Sequence, residues 1–317
     1  MWLHRARALS LLRTHINQLA SERTQQADWG DSAGQVIAST VMMTFFEISR
    51  DCSDSWTMHA DFARNFLSSH LRKVDSLSAE QETLFKFAAT YFVSHDVLAG
   101  TGGTCMEAAQ MNNELCESMD NLSVMAITGC SRDLLSLISE ITQIGSSVES
   151  YIHPRILSAT IQQRRDNIDS RLHGLRQEVP EEFGSFQSEL VIVSEVKRLA
   201  AILYLYSRID GSGPHEPHVV RVTHQIMALI PQISLRTHTG LWPLFIVATL
   251  GIRSECDEDR KLLLSHLTAL QETRQLANVK KARRIIEGVW KARDLRPDEP
   301  QGWAILQGRR HGPISLA

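Results

Sequence analysis

Apolar residues recur along this chain at intervals of three and four, the spacing of one helical face, almost from end to end. Trp2, Leu3, Ala6, Leu9, Leu12 and Ile16 mark a first helix that ends near Ala20-Ser21. A polar, glycine-containing break is expected from Trp29 to Gly34, before a densely apolar helix from Val36 to Ile48 with Met42, Met43, Phe45 and Phe46. A helix apolar on all sides must be buried among others. Trp56 to Leu71 reads as an amphipathic helix followed by Arg72 and Lys73, whose charges suit a helix C-terminus. Ser78-Ala79-Glu80-Gln81 has the form of a capping box, in which the Ser and Gln side chains satisfy orphan N–H groups. The helix it opens places Leu84, Ala88, Tyr91, His95 and Leu98 on one face and stops at Gly100-Thr101-Gly102-Gly103.

Further helices are predicted over Leu134–Ile144, Ile156–Leu175 and Phe186–Ile209. The last is long and strongly apolar through Leu190, Val193, Val196, Leu199, Ile202, Leu203 and Leu205, and Asp210-Gly211-Ser212-Gly213-Pro214 ends it. Another spans Pro217 to Leu229 and stops before Pro231. A Trp242-Pro243 pair then opens a short apolar helix within LWPLFIVATLGI, and two amphipathic stretches follow, CDEDRKLLLSHLTAL and ANVKKARRIIEGVWKARD. No segment alternates apolar and polar residues over a convincing strand length. The chain is therefore expected to be all-α, either a multi-helix bundle or an α-solenoid-like array of helical hairpins. Composition shifts too little to divide it, so residues 1–317 read as a single helical domain, weakest at the polar stretch Gln177 to Ser185.

Composition narrows the function classes. Hydrophobic residues make up 43% and charged residues 22%, enough for a substantial core and unlike a disordered tail. The net charge of −3 lacks the basic excess with which a protein grips duplex DNA, so no direct DNA contact is expected from this chain. Cys52, Cys105, Cys116, Cys130 and Cys256 include no pair separated by two residues, hence no zinc half-site. Their odd number and wide spread fit reduced thiols. The basic, amphipathic start MWLHRARALSLLRTH does not resemble a cleaved secretory signal, and no run reaches the ~20 apolar residues of a membrane span. A soluble intracellular protein without a membrane partner is expected.

Several clusters invite a chemical reading, and each has a plainer one. The Gly100–Gly103 run follows a helix rather than a strand and lacks the Gly-Lys-Ser/Thr of a phosphate loop, so a turn is expected. Among His215, Glu216, His218 and His224, Pro217 interrupts the helical spacing that zincin ligands need, and an ordinary surface loop is expected. No GxSxG elbow presents a nucleophile. Glu140 with Glu149, and Asp257, Glu258 and Asp259, read as solvated helix faces or N-terminal charges rather than catalytic pairs. No catalytic residue, cofactor or metal is assigned. Lys280, Lys281, Arg283 and Arg284 form a candidate nuclear-import patch, or the polar side of a helix whose core face is Val279, Ala282, Ile286, Val289 and Trp290. The aromatic groups Phe45, Phe46 and Phe85, Phe87, Tyr91, Phe92 would line an effector pocket or, by default, a core.

Three stretches in order carry a resemblance. They are His4-Arg5-Ala6-Arg7-Ala8-Leu9 with Leu11-Leu12-Arg13, then Tyr91-Phe92 through Asp96-Val97-Leu98-Ala99, and the closing block. That block runs from Trp242-Pro243-Leu244-Phe245 through Asp259-Arg260 to Val289-Trp290 and Arg293-Asp294. Together they resemble the fungal-specific transcription factor domain, the helical regulatory region of zinc-cluster regulators. The resemblance implies that Asp96, Trp242, Pro243, Phe245, Arg260, Val289, Trp290, Arg293 and Asp294 are signature packing positions. It further implies a nuclear regulator, secondary metabolism being one field for such proteins, with protein partners in the transcription machinery and a candidate small-molecule effector. The six-cysteine cluster of that family is missing, and the chain begins close to the family's early helix. Either Met1 is not the natural start of the complete product, or the chain is a shortened relative that acts through partners or competes for them with a full-length zinc-cluster regulator. The alternatives are a helical metabolic enzyme or small-molecule-binding protein, or a non-transcriptional scaffold in the cytoplasm.

Overall fold

The computed structural model describes residues 26–70, 78–103, 122–149, 159–233, 235, 239–296, 303–307 and 312–317, together with residues 10 and 14. The expected first helix over Trp2 to Ile16 falls almost entirely outside the described residues. What is described is all-α apart from one small hairpin. Contacts group the chain into two compact units, Met1–Val93 with Asn112–Ser118, and Ser94–Met111 with Met119–Ala317.

In the first unit, α1 (Gln26–Arg50) and α2 (Ser55–His70) pack together across the turn at 51–54. The expected break at Trp29–Gly34 is instead continuous helix within α1. Packing overrides glycine's weak helix propensity here: Ala33, Val36 and Ile37 are fully buried, and Gly34 lies where an added Cβ would stand 3.6 Å from Leu84. From α2, Trp56, Ala60, Ala63 and Leu67 complete the apolar face. Glu47 is buried at the end of α1, where it accepts from Ser55 Oγ at 2.9 Å and from Arg50 at 3.3 Å. Those bonds fix the turn between the helices.

Helix α3 (Ala79–Gly100) begins with the predicted capping box. Gln81 N–H donates to Ser78 Oγ at 3.3 Å, and Ser78 N–H donates to Gln81 Oε1 at 3.0 Å. Its residues through Val93 belong to the first unit and the remainder to the second.

The second unit is built around α6 (Gln187–Arg208), buried through Leu190, Val193, Val196, Leu199 and the run Ala200–Leu205. Against it pack α4 (Arg132–Glu149), α5 (Ala159–Gly174), α7 (Pro217–Leu229) and α8 (Leu241–Ile246), which continues as a π-helical turn over Val247–Gly251. The apolar run in α6 calls for burial on every side, and this surrounding layer supplies it. α9 (Asp257–Arg274), α10 (Ala277–Leu295) and the short α11 (Trp303–Gln307) follow, and 3₁₀ turns at Glu181–Phe186 and Ile230–Gln232 flank α6 and α7. A hairpin of β1 (Val124–Met125) and β2 (Cys130–Ser131) pairs Val124 with Ser131 and Met125 with Cys130. Gly129, at φ +63, turns the chain there, and an added Cβ would meet Val193 at 2.8 Å.

The polar stretch that begins at Gln177 is tied down at its start. Gln177 Oε1 accepts from Ser131 N–H, and its Nε2 donates to the Ser194 carbonyl, both at 2.7 Å. One amide side chain thus joins the hairpin to α6.

The hairpin turn also meets a group that periodicity does not predict. Lys197 of α6 is 1% exposed and donates to the Thr128 carbonyl, with the buried Cys130 thiol alongside. Burial pushes the ammonium below its ordinary pKa of 10.5, against an opposing pull from Cys130, and burial pushes the Cys130 thiol up. A lysine lowered in the fold binds its proton less tightly there than when unfolded. The contribution of Lys197 to stability therefore rises with pH from the lowered folded value up to about 10.5, while that of the raised Cys130 thiol falls as pH climbs above about 9. Lys197→Met is expected to remove that rise while leaving neutral-pH stability within about 1–2 kcal/mol, because relief of a buried charge offsets the lost carbonyl bond. Thermal midpoints of both proteins between neutral and alkaline pH measure the difference. Parallel midpoint curves would show that Lys197 carries no such linkage.

Candidate functional site

The signature residues of the C-terminal block converge on the end of the α8–π segment. Pro243 sits in the first turn of α8, where a missing N–H costs no helical hydrogen bond. Trp242 and Phe245 are fully buried. Trp242 Nε1 donates to Thr101 Oγ1 at 2.8 Å, and that hydroxyl donates in turn to the Leu98 carbonyl at 2.6 Å. The turn expected at Gly100–Gly103 therefore serves as an anchor for Trp242. Asp96 is buried on the same end of α3.

After Phe245 the helix widens into the π turn and stops at Ile252, which leaves terminal carbonyls without onward helical donors. Side chains of α10 supply the donors. Trp290 Nε1 reaches the Ala248 carbonyl at 2.7 Å, and Arg293 Nη1 reaches the Ile252 carbonyl at 2.7 Å. Arg293 Nη2 donates to the Thr249 carbonyl. Arg293 is 1% exposed, and Val289 is fully buried beside this row on α10. Burial, followed by the nearby Arg260 charge, lowers the Arg293 pKa to about 10, so the side chain stays cationic at neutral pH.

A second arginine braces the same helix from α9. Arg260 donates to both Asp294 carboxylate oxygens, at 2.9 and 2.8 Å, and its guanidinium carbon lies 5.1 Å from the centre of the Trp290 ring. The Arg260 hydrogen bonds hold the Asp294 carboxyl below its ordinary range. Trp242, Phe245, Trp290, Arg293, Arg260 and Asp294 thus form one clamp that fixes the α8–π segment to α9 and α10. Its polar groups bond backbone carbonyls, the Thr101 hydroxyl and each other, while Arg260 Nε and Arg293 Nε are buried without a partner among the described residues. The arrangement closes a helix end and orients three helices, and it presents no exposed base beside a nucleophile.

The basic run divides into two pairs. Lys281 donates to the Pro313 carbonyl at 2.7 Å, while Arg283 donates to Glu287 at 2.7 Å and to Thr268 Oγ1 at 2.9 Å. Lys280 and Arg284 face solvent. The histidines do not meet: His215 lies 3.9 Å from Glu255, His218 hydrogen-bonds Ser212 at 3.0 Å, and His224 lines a small cavity with Thr223, Cys256 and Asp259. That cavity has space for about one water molecule. Among the described residues, no group of three or more His, Cys, Asp or Glu side chains is placed to hold a metal ion. Nor, among those residues, is any helix long and apolar enough to cross a membrane.

Glu140 pairs with Arg164 and Arg171, and Asp257, Glu258 and Asp259 occupy the first turn of α9, where carboxylates favour the helix dipole. Of the aromatic groups, Phe85, Tyr91 and Phe92 are core, while Phe45 and Phe87 are exposed. Sequence reasoning did not find Lys197, Asn278 or the closing residues from Trp303 onward. A lone lysine or asparagine in a helical pattern carries no mark of burial, so no sequence signal pointed to them.

A family model described as fungal specific transcription factor domain matches residues 1–316. No curated protein and no solved structure matches the chain.

Proposed function

The chain belongs to the fungal specific transcription factor domain family, and from that premise we propose that it is the helical regulatory region of a zinc-cluster type regulator, working in the nucleus through protein partners or a small-molecule effector. Its general role is transcription regulation, and the family is one of transcription-factor domains rather than of catalysts. The observation that carries the proposal is the family match over residues 1–316, in which the signature residues form an internal clamp. In this reading, DNA is contacted by a zinc cluster outside these residues, on the same polypeptide or on a partner. A net charge of −3 and five cysteines without a CxxC pair favour that division of labour. The exposed Lys280 and Arg284 leave only part of the basic run for an import receptor, so nuclear entry would depend on a partner or on that reduced patch.

Chromatin occupancy of the tagged protein in its native cells tests the proposal. Enrichment at discrete promoters is expected, and it should disappear when the partner that supplies the DNA contact is deleted. Uniform absence from chromatin, with the protein folded and expressed, would sink the regulatory reading and favour a metabolite-binding protein or scaffold.

A further inference from the structure

The small cavity beside His224 lies where the end of the π turn meets α7 and the start of α9. Thr223, Gly251 and Ile252 form its buried floor, and exposed His224 with half-buried Cys256 forms its rim. One group on the floor is unsatisfied. Thr223 is 4% exposed, and its Oγ1 is buried without a hydrogen-bond partner among the described residues. That hydroxyl faces Gly251, where an added Cβ would stand 2.4 Å from it, so glycine is what leaves the gap. A stranded hydroxyl costs free energy that an acceptor oxygen placed in the cavity would recover.

Cys256 shares this cavity as the residue that caps the start of α9. Its backbone is committed: its N–H donates to the Arg253 carbonyl at 3.3 Å, and its carbonyl accepts from Arg260 N–H at 3.1 Å. Its sulfur caps no helical N–H. Cys52 and Cys130 are fully buried, so among the described cysteines Cys256 is the one open to a reagent.

We propose that Cys256 is a site of reversible oxidation by hydroperoxides, and that the cavity holds the single oxygen of its sulfenic acid against the Thr223 hydroxyl. The sulfur attacks one peroxide oxygen, and the S–O bond forms as the O–O bond breaks. Sulfur gives up two electrons, and the thiol proton leaves on the departing oxygen as an alcohol, or as water when the oxidant is hydrogen peroxide. The atom added is one oxygen, and the space takes about one water molecule. Thr223 then has an acceptor for its O–H. A second oxidation meets two obstacles. It adds an oxygen for which the cavity has no room, and it creates a sulfinate anion beside Asp257, Glu258 and Asp259. The Arg253 guanidinium on the same cavity is already engaged by Glu255 at 3.2 Å. Oxidation therefore rests at the sulfenic acid. A small thiol condenses with it to a mixed disulfide and water, and a second thiol releases the cysteine. This inference stands independently of the regulatory reading.

Treatment of the full chain with hydrogen peroxide, capture of sulfenic acid by a 1,3-dione and mass mapping of each cysteine test the site. A dione adduct on Cys256 is expected, with Cys52 and Cys130 unlabelled. Thr223→Val separates a built site from a merely accessible thiol. It removes a buried hydroxyl that has no partner and nearly keeps the shape, so the reduced variant should be at least as stable as the parent. Its rate of alkylation by iodoacetamide should be unchanged. Its sulfenic acid should pass on to sulfinic acid roughly fivefold faster, the effect of one lost hydrogen bond. A second measurement needs no change at Thr223: the parent oxidised to the sulfenic stage should keep or raise its thermal midpoint relative to equally treated Cys256→Ser protein. Absence of a dione adduct at Cys256 in the folded chain would overturn the site. Equal rates of sulfinic acid formation in the parent and Thr223→Val, or a fall in the midpoint of the oxidised parent, would overturn the cavity as the holder of the oxygen.

Discussion

Arg293→Ala is expected to lower stability by about 3–5 kcal/mol, because two carbonyls each lose a hydrogen bond to a charged donor. The guanidinium serves the Thr249 and Ile252 carbonyls at the end of the π turn, and among the described residues no other side chain donates to either. Loss of the side chain leaves those acceptors buried, and the cavity cannot restore them. Arg293→Lys should recover less than half of the loss. A single ammonium keeps the charge but not the planar fork that spans both carbonyls. Chemical denaturation measures this as a lower midpoint with an unchanged slope. Arg260→Ala makes a useful contrast. Its partner Asp294 has a side chain 43% exposed, so the loss should be about 1 kcal/mol or less beyond the contact with Trp290. Equal effects at the two arginines would mean that the carbonyl bonds are not what makes Arg293 matter.

The contrast shows what the sequence can reveal. Both arginines occur in the closing block, and the resemblance marks both as packing positions. Helical period places Val279, Ala282, Ile286, Val289 and Trp290 on one face of α10, and all five are buried. It cannot say that Arg293 turns inward while Arg284 turns outward, since a long cationic side chain at the edge of an apolar stripe can do either. The decision rests on the π turn, whose widened end exposes carbonyls at the height of Arg293. No local pattern in VATLG announces that turn. The same reasoning covers Gly34 and Gly100. Each is a strong punctuator by composition, yet the first lies within α1 and the second ends α3. The difference is tertiary: Gly34 has a buried apolar face on either side, whereas Gly100 leads into the hydroxyl anchor of Trp242. Helix type and most core faces are legible because burial imposes periodicity. Polar groups that enter the core, such as Lys197 and Asn278, respond to single partners and leave no period to read.

Trp242→Ala is expected to cost about 3–5 kcal/mol through the cavity left in a fully buried site. Trp242→Phe separates volume from polarity. It keeps most of the apolar contact and removes only the indole N–H bond to Thr101 Oγ1 at 2.8 Å. That hydroxyl still donates to the Leu98 carbonyl, so no donor is stranded, and the loss should be about 1 kcal/mol plus a modest packing term. Thr101→Val removes the same bond from the other side and also the hydroxyl's bond to the Leu98 carbonyl, which keeps its bond from the residue 101 N–H. If the bond joins the α3 turn to α8, the double variant Trp242→Phe with Thr101→Val should be less destabilised than the sum of the single changes, by about 0.5–1 kcal/mol. Strict additivity would mean that apolar packing alone seats Trp242. The functional consequence follows from the same ordering. Trp242→Phe should fold and retain promoter occupancy, while Trp242→Ala should lose occupancy only as far as it loses folded protein. A folded Trp242→Ala protein at parental stability, yet absent from promoters, would place this tryptophan in partner or effector recognition rather than in the clamp.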